Sequence, residues 1–274
     1  MNDEYLFDET IKLIKKHLFK NNYDKVHPQN NFEKIEKLFG EITPESPKKV
    51  EEVLQYIDRY IKNSVKTKDS GYMQSLWGGT HIEGVLGEFL TAATNTSMHT
   101  FDSAPSATVI EKKIISKMTK LIGWENGEGI FTSGGSNGNL LGLACARNYV
   151  FPDYSKKGNM NKIFQIYISK ESHYSIETAA KLIGIGTENI IEINCDNDGR
   201  MIPKHLEKEI QKTISSSNIP LCVIATAGTT VRGSFDPIDE IADICQKFDV
   251  WFHVDAAWGG AALFSEKHKR LLYG

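Results

Sequence analysis

Apolar residues recur at helical spacing through the first third of the chain, between many charged positions. The spacing of three to four residues predicts amphipathic helices over residues 1–20, 32–39 and 47–65. Each of these helices carries only a narrow apolar stripe, so together they do not form a core of their own. We expect them to cover a partner surface, either the main domain or a second subunit.

The pattern changes after residue 70, where glycine, threonine and aromatic residues replace most of the charges. Further along the chain, short apolar runs of strand length alternate with segments of helical period. Helices are predicted over residues 80–93, 105–121, 137–147, 173–183 and 203–214, and strands over 129–132, 162–168, 190–193, 221–226 and 250–254. This alternation predicts an α/β fold with a doubly wound, mostly parallel sheet. We divide the chain into a helical segment, 1–100, and a large domain, 101–274.

The last predicted strand, helix and strand form a βαβ unit. Asp236 is placed to cap the helix and Pro237 to occupy its first position. The two strands of such a unit are parallel neighbours, and ligands bind at the carboxyl ends of strands in these sheets. The segments AGTT (227–230) and HVDAAW (253–258) are therefore expected at the ligand edge.

Composition and charge limit the possible partners, location and metal content of the protein. The 32 basic and 35 acidic residues are nearly balanced, which disfavours nucleic acid or an anionic membrane as a partner. The acidic start lacks a secretion signal, and no apolar run approaches the length of a membrane span. The four cysteines are scattered, which favours free thiols in a reducing compartment over disulfides or a metal site. We therefore expect a cytoplasmic protein without a metal.

Asp255 stands at the tip of a nearly all-apolar strand. An acid in this place often does no more than cap the next turn, and that interpretation stays open. A carboxylate among apolar groups is costly unless it is paired, and a protonated pyridine nitrogen is a suitable partner. Pyridoxal 5'-phosphate needs that proton to act as an electron sink, and enzymes commonly hold it with an aspartate. The small residues that follow Asp255 would leave room for a flat ring.

The turn TSGGSNG (132–138) joins a predicted strand to a predicted helix. Its glycines permit close backbone approach, and a helix N-terminus offers N–H groups, so a phosphate is expected at Gly135 and Ser136. A turn without a ligand is the plainer interpretation. The run matches neither GxGxxG nor GxxxxGK[ST], which disfavours dinucleotides and nucleoside triphosphates.

Two further candidates follow other strands at the same edge. His173 offers an imidazole that packs flat on a ring and exchanges protons, although a capping or surface histidine is the alternative. Thr230 would form a hydrogen bond near the cofactor, or serve only its turn. These sites converge only if the sheet is wound as predicted.

Four stretches of the chain together resemble the group II pyridoxal-phosphate-dependent amino-acid decarboxylases. They are most similar to the glutamate and cysteine-sulfinate decarboxylase branch. The matching runs are NTSMHTFDSAP (95–105), FTSGGSNGNL (131–140), ESHYSIETAAKLIGIGTENI (171–190), and ATAGTTVRGSFDPIDEIADIC with WFHVDAAWGG (225–260).

The resemblance implies a large domain of the fold type I, PLP-dependent transferase-like class, and it implies a role for each candidate residue. His173 and Asp255 would be the catalytic pair, with His173 stacked on the pyridine and Asp255 bound to its nitrogen. Gly135 and Ser136 would hold the phosphate, Thr230 would lie beside the ring, and Ala257 would pack under it.

The resemblance also places the lysine that forms the Schiff base with the cofactor beyond Gly274. Lys269 lies too close to Asp255 to be that residue. We therefore expect the large domain, 101–274, to be incomplete and this chain alone to be inactive. A dead fragment or interaction module with a PLP-shaped cleft, completion by a second polypeptide, and another reaction on the same fold stay open.

Substrate and assembly are also implied by the resemblance. The substrate would be an amino acid, a small molecule, and the N-terminal helices would form a homodimer interface. Acidic-substrate members carry an Asn-Gln pair where Gln74 and Ser75 stand here, whereas Ser97 and His99 lie in the NTSM run, and a protonated His99 would favour an acidic side chain. Glutamate, aspartate and cysteine sulfinate are expected in that order, with diaminobutyrate or an aromatic amino acid as the alternative.

Overall fold

The computed structural model describes residues 2–19, 25–41, 46–74 and 76–274. The chain divides into two compact units, Met1–Thr96 and Ser97–Gly274. The first unit confirms the four helices predicted there. They are α1 (Asp3–Phe19), α2 (Phe32–Phe39), α3 (Val50–Asn63) and α4 (Ile82–Thr94). Across the described ranges, no helix has the length and apolar character needed to cross a membrane.

The second unit contains a four-stranded parallel sheet in the order β2-β1-β3-β4. Its strands are β1 (Phe164–Ser169), β2 (Ile190–Ile193), β3 (Ile219–Thr226) and β4 (Trp251–Asp255). The helices are α5 (Pro105–Ile122), α6 (Gly135–Val150), α7 (Tyr154–Lys157), α8 (Ser175–Leu182), α9 (Pro203–Ser215) and α10 (Ile238–Phe248). The predicted α/β class and the parallel sheet are therefore confirmed.

Helices cover both faces of this sheet because its central strands are apolar on both sides. Along β3, Cys222 and Ile224 pack into a core with α6 and α8, whereas Val223 and Ala225 pack into a second core with α9 and α10. Successive side chains of a strand point to opposite faces, so one continuous apolar run supplies both cores. The sheet therefore lies between two helical layers. Because all four strands are parallel, their carboxyl ends lie along the same edge of the sheet.

The predicted strand at residues 129–132 is wrong. The segment has no regular secondary structure, and the N–H of Phe131 donates to the Glu111 carboxylate of α5 at 3.0 Å. Gly129 lies against Ile115 of the same helix. A strand needs a neighbour to pair with, and here the backbone is bonded to a helix side chain instead.

The predicted start of α10 is also wrong in detail. Asp236 does not cap the helix, which begins at Ile238. Instead it is 2% exposed, and its two carboxylate oxygens accept the N–H groups of Met201 at 2.6 Å and Thr226 at 2.7 Å. Burial raises the pKa of this carboxyl, opposed by the two backbone donors. Asp236 therefore joins the end of β3 to the segment before α9.

The loops after β3 and β4 are bound to each other at the carboxyl edge. The N–H of Ala227 donates to the carbonyl of Asp255, and the N–H of Gly259 donates to the carbonyl of Ala227, both at 2.9 Å. A Cβ at Gly259 would overlap that Ala227 carbonyl, so only glycine permits this approach. The contact fixes the loop that follows Asp255.

Candidate functional site

Asp255 ends β4 at the carboxyl edge and is 8% exposed. One carboxylate oxygen accepts the side-chain N–H of Asn139 at 2.9 Å, and the other accepts the N–H of Ala257 at 3.1 Å. Among the described residues, it forms no ion pair with a lysine, arginine or histidine. This is a buried anion held by neutral donors, an arrangement that favours a cationic ligand.

His173 lies in the loop between β1 and α8, just before the helix begins at Ser175. Its Nδ1 is 2.8 Å from the Ser175 hydroxyl and accepts the Ser175 N–H at 3.2 Å. The Ser175 hydroxyl also accepts the second side-chain N–H of Asn139 at 3.0 Å. A single amide therefore connects the imidazole of His173 to the carboxylate of Asp255.

The first turn of α6 completes this arrangement. Gly135 and Ser136 are its first two residues, and Gly134 provides no side-chain cap. First-turn N–H groups have no intrahelical acceptor, so they are available to an anion. A Cβ at Gly135 would lie 2.8 Å from the Cβ of Ala257, which brings the helix start directly against the loop after Asp255.

The structure thus brings together five of the predicted site residues: Gly135, Ser136, His173, Asp255 and Ala257. Thr230 is exposed in the turn after β3, and the described hydrogen bonds do not connect it to this group. Ser97 and His99 lie in an exposed turn before α5, where the Ser97 hydroxyl accepts the N–H of His99 at 3.4 Å. Gln74 is exposed in the other unit, and Ser75 lies outside the described residues.

Three residues of the site were not predicted: Asn139, Ser175 and His253. The Asn139 carbonyl oxygen is 2.9 Å from Nε2 of His253, which is partly buried two residues before Asp255. Burial lowers the pKa of His253, and the nearby Asp255 carboxylate opposes that shift. The strand pattern held a signal for His253 alone, because positions 253 and 255 share one face of a strand.

A parallel α/β sheet that presents this edge belongs to the cofactor-binding α/β proteins, in which a phosphate sits at a helix start and a ring lies above the strand ends. The family model described as "Pyridoxal-dependent decarboxylase conserved domain" matches residues 33–274. The chain therefore belongs to the pyridoxal-dependent decarboxylase family, as its sequence runs predicted. This confirms the cofactor and the carboxy-lyase class at the level of the family.

Curated relatives agree with this assignment. Acidic amino acid decarboxylase GADL1 of Bos taurus is 42% identical over 224 residues, which are 81% of this chain and 43% of the relative. Cysteine sulfinic acid decarboxylase of Mus musculus is 39% identical over 225 residues, covering 82% and 46%. The chain spans about half the length of the curated relatives it matches.

Solved structures confirm the fold. The crystal structure of mouse CSAD in apo form matches with a TM-score of 0.96 at 34% identity, over 99% of this chain and 58% of that one. A Vibrio parahaemolyticus structure, the glutamate decarboxylase domain of a diaminobutyrate-pyruvate transaminase and L-2,4-diaminobutyrate decarboxylase, matches with a TM-score of 0.89 at 27% identity, covering 99% and 60%.

The residues of the site fit pyridoxal phosphate on the chain's own geometry. The uncapped start of α6 suits a phosphate, and Gly135 lies close against Ala257 in the loop that follows Asp255. The buried Asp255 carboxylate, which has no ion-pair partner among the residues that the structure describes, suits a protonated ring nitrogen. No cluster of histidine, cysteine, aspartate or glutamate suited to a metal ion occurs in the described ranges.

Proposed function

We propose that this chain supplies the cofactor-binding part of a pyridoxal-phosphate-dependent decarboxylase that acts on an L-amino acid. The observation that carries the proposal is the Asp255 carboxylate, buried at the end of β4 and linked through Asn139 to His173. When bound, the cofactor accepts the electron pair that departing CO2 leaves behind.

Each residue of the site has a distinct role in this proposal. The first-turn N–H groups of Gly135 and Ser136 bind the phosphate. Asp255 accepts a hydrogen bond from the protonated ring nitrogen and keeps that nitrogen charged. His173 packs on the ring and, with Nδ1 occupied by Ser175, offers Nε2 for proton transfer. Thr230 forms a hydrogen bond at the ring edge, and Ala257 leaves space below it.

The direct test is cofactor binding by the purified chain, measured through the quenching of the chain's intrinsic fluorescence. Replacing Asp255 with Asn removes the charge and keeps the shape, so the dissociation constant for pyridoxal phosphate should rise about tenfold or more. The exposed Asp243 of α10 offers the control Asp243→Asn, which should bind as the wild type does. Equal affinities in all three proteins would contradict the proposal.

Borohydride reduction tests whether a lysine of this chain forms the Schiff base with the cofactor. The described lysines are expected to form no specific adduct, and the chain alone should release no CO2 from an amino acid. A specific adduct at Lys269 would overturn the expectation that the Schiff-base lysine lies beyond Gly274. Failure of the wild-type chain to bind the cofactor at all would favour the dead fragment or interaction module.

An acidic substrate is the second part of the proposal. Its support is the naming of relatives at 39–42% identity as acidic amino acid and cysteine sulfinic acid decarboxylases. Gln74, Ser75, Ser97 and His99 are the proposed contacts for the side-chain carboxylate. Release of labelled CO2 by the protein that carries this sequence should be faster from glutamate, aspartate or cysteine sulfinate than from diaminobutyrate or tryptophan. The opposite order would contradict it.

Assembly and location complete the proposal. We propose a homodimer formed through residues 1–100, because α4 exposes Ile82, Leu86, Phe89 and Leu90 along one face. We also propose a cytoplasmic location, which four unpaired cysteines support, since disulfides are rare in that compartment.

A further inference from the structure

Asn139 is a buried amide in the second turn of α6, and it is 3% exposed. All of its side-chain hydrogen-bonding groups are engaged. The NH2 group donates to Asp255 at 2.9 Å and to Ser175 at 3.0 Å, and the carbonyl oxygen is 2.9 Å from Nε2 of His253. One side chain of α6 thus contacts three polar residues on two other elements, His253 and Asp255 on β4 and Ser175 on α8.

The direction of each hydrogen bond in this group follows from chemistry. An ionised carboxylate only accepts, so the NH2 group of Asn139 must face Asp255. Its carbonyl oxygen therefore faces His253, whose Nε2 must carry a proton. Nδ1 of His173 accepts the N–H of Ser175 and so carries no proton, and the Ser175 hydroxyl, which accepts from Asn139, therefore donates to it. The neutral His173 ring consequently carries its proton on Nε2.

The reversed orientation of the amide is excluded by the same contacts. Turning it by half a rotation would place two acceptor oxygens 2.9 Å apart at Asp255, and it would set two donors face to face at His253 for as long as Nε2 keeps its proton. Buried polar groups without partners are costly, so Asp255 sets the orientation of the amide and the Nε2–H of His253 holds it there.

Gly142 makes room for the His253 ring. A Cβ at position 142 would lie 2.6 Å from two atoms of the His253 ring, so the imidazole packs directly on the α6 backbone. Gly138, one turn earlier, has no such neighbour, since a Cβ there would meet only the Thr132 hydroxyl at 3.8 Å.

We infer that Asn139 and His253 are positioning residues for the cofactor site, with His253 fixing the Asn139 amide and that amide orienting both Asp255 and His173. This inference rests on the proposed function, because it assigns these residues to the carboxylate that would hold the ring nitrogen. Neither residue acts on the substrate directly. Their effect passes through the carboxylate and the imidazole.

The first test needs no cofactor. Nitrogen-15 NMR of the histidine rings in the purified chain at neutral pH should show the proton of His253 on Nε2 and that of His173 on Nε2. In Asn139→Leu the two rings should lose this fixed tautomer, whereas Asn148→Leu, an exposed change at the other end of α6, should leave both spectra unchanged. A proton on Nδ1 of His253 in the wild type would overturn the inference.

The second test is the affinity for pyridoxal phosphate. His253→Leu should raise the dissociation constant about tenfold, as loss of an outer-shell partner does at metal sites, while His253→Gln keeps a donor and should stay near the wild-type value. Gly142→Ala should weaken binding, whereas Gly87→Ala in α4, where a Cβ would meet nothing within 4 Å, should not. If Asn139→Leu fails to fold, these four variants still decide the question.

The outcomes separate the inference from the proposed function. A wild-type chain that does not bind the cofactor overturns both. A wild-type chain that binds it, together with His253→Leu and Gly142→Ala proteins that bind equally well, overturns the inference alone.

Discussion

The surroundings of His253 alter the pKa of its imidazole. Its Nε2–H donates to Asn139, its ring packs on Gly142, and Asp255 is the charged group nearby. Burial lowers the pKa of this imidazole below its usual value of 6.5, because a buried cation is poorly solvated. The folded state therefore holds His253 neutral at a pH where the unfolded chain has begun to bind a proton.

This difference predicts a pH-dependent stability. The contribution of His253 is fully present above pH 6.5 and is lost as pH falls through the folded-state pKa, because the unfolded state then binds the additional proton. The slope cannot exceed about 1.4 kcal/mol per pH unit, the limit for one proton. Urea unfolding across this range should show that slope flatten in His253→Gln and persist in His268→Gln, whose histidine is exposed. Parallel slopes in all three proteins would refute the assignment.

At the residue scale, sequence indicates a functional group when the group is an exception to its pattern. Asp255 interrupts an apolar strand and His173 follows another, so both were predicted to lie at one sheet edge, and the structure places them there. Asn139 was missed because a lone polar residue in a helix gives no sign of which residues it faces. Its partners at 175, 253 and 255 become neighbours only when the sheet is wound.

At the element scale, Asp236 illustrates how a correct helix was predicted for an incorrect reason. An aspartate before a proline and an acidic turn is typical of an N-cap, and the helix does follow. The side chain instead turns inward to bind two backbone N–H groups from separate segments. Local signals do not carry that information, because Met201 lies 35 residues away.

Replacing Asp236 with Ala should therefore destabilise the chain far more than loss of a helix cap. Two buried N–H groups would lose their acceptor, and each such group costs roughly 1–3 kcal/mol, so the free energy of unfolding should fall by roughly 2–6 kcal/mol. Asp239→Ala, an exposed change in the first turn of α10, should cost about 1 kcal/mol or less. Chemical denaturation measures both, and similar losses in the two variants would contradict the buried role.

The same limit explains the failed strand at residues 129–132. Its composition is that of a strand, but a strand exists only if a neighbour pairs with it, and the N–H of Phe131 is bonded to Glu111. The strands of the βαβ unit were predicted well because their neighbours are close in sequence and both of their faces are apolar.

At the scale of the whole molecule, the α/β class and the parallel sheet were predictable because alternating strands and helices permit few topologies. The roles of the two units in assembly were not predictable, because the sequence does not show which apolar surfaces meet. On α4, the residues Ile82, Leu86, Phe89 and Leu90 share one helix face and are 37–67% exposed. Apolar stripes of this kind mark interaction surfaces.

A charge on that face should break the proposed homodimer. Leu90→Glu is expected to shift the chain from dimer to monomer in sedimentation velocity, because an unpaired carboxylate would be buried at the interface. Glu88→Lys lies on the opposite face of α4 and should leave the mass unchanged. A wild-type chain that sediments as a monomer would rule out a stable dimer of this chain.

The most direct test of the account is the protonation state of the cofactor's ring nitrogen, observed by NMR with nitrogen-15-labelled pyridoxal phosphate. In the wild-type chain the nitrogen should keep its proton at a pH where that of the free cofactor has lost it, since Asp255 stabilises the charged form. In Asp255→Asn the proton should be lost at the same pH. A bound ring nitrogen that titrates identically in the two proteins would contradict the central claim.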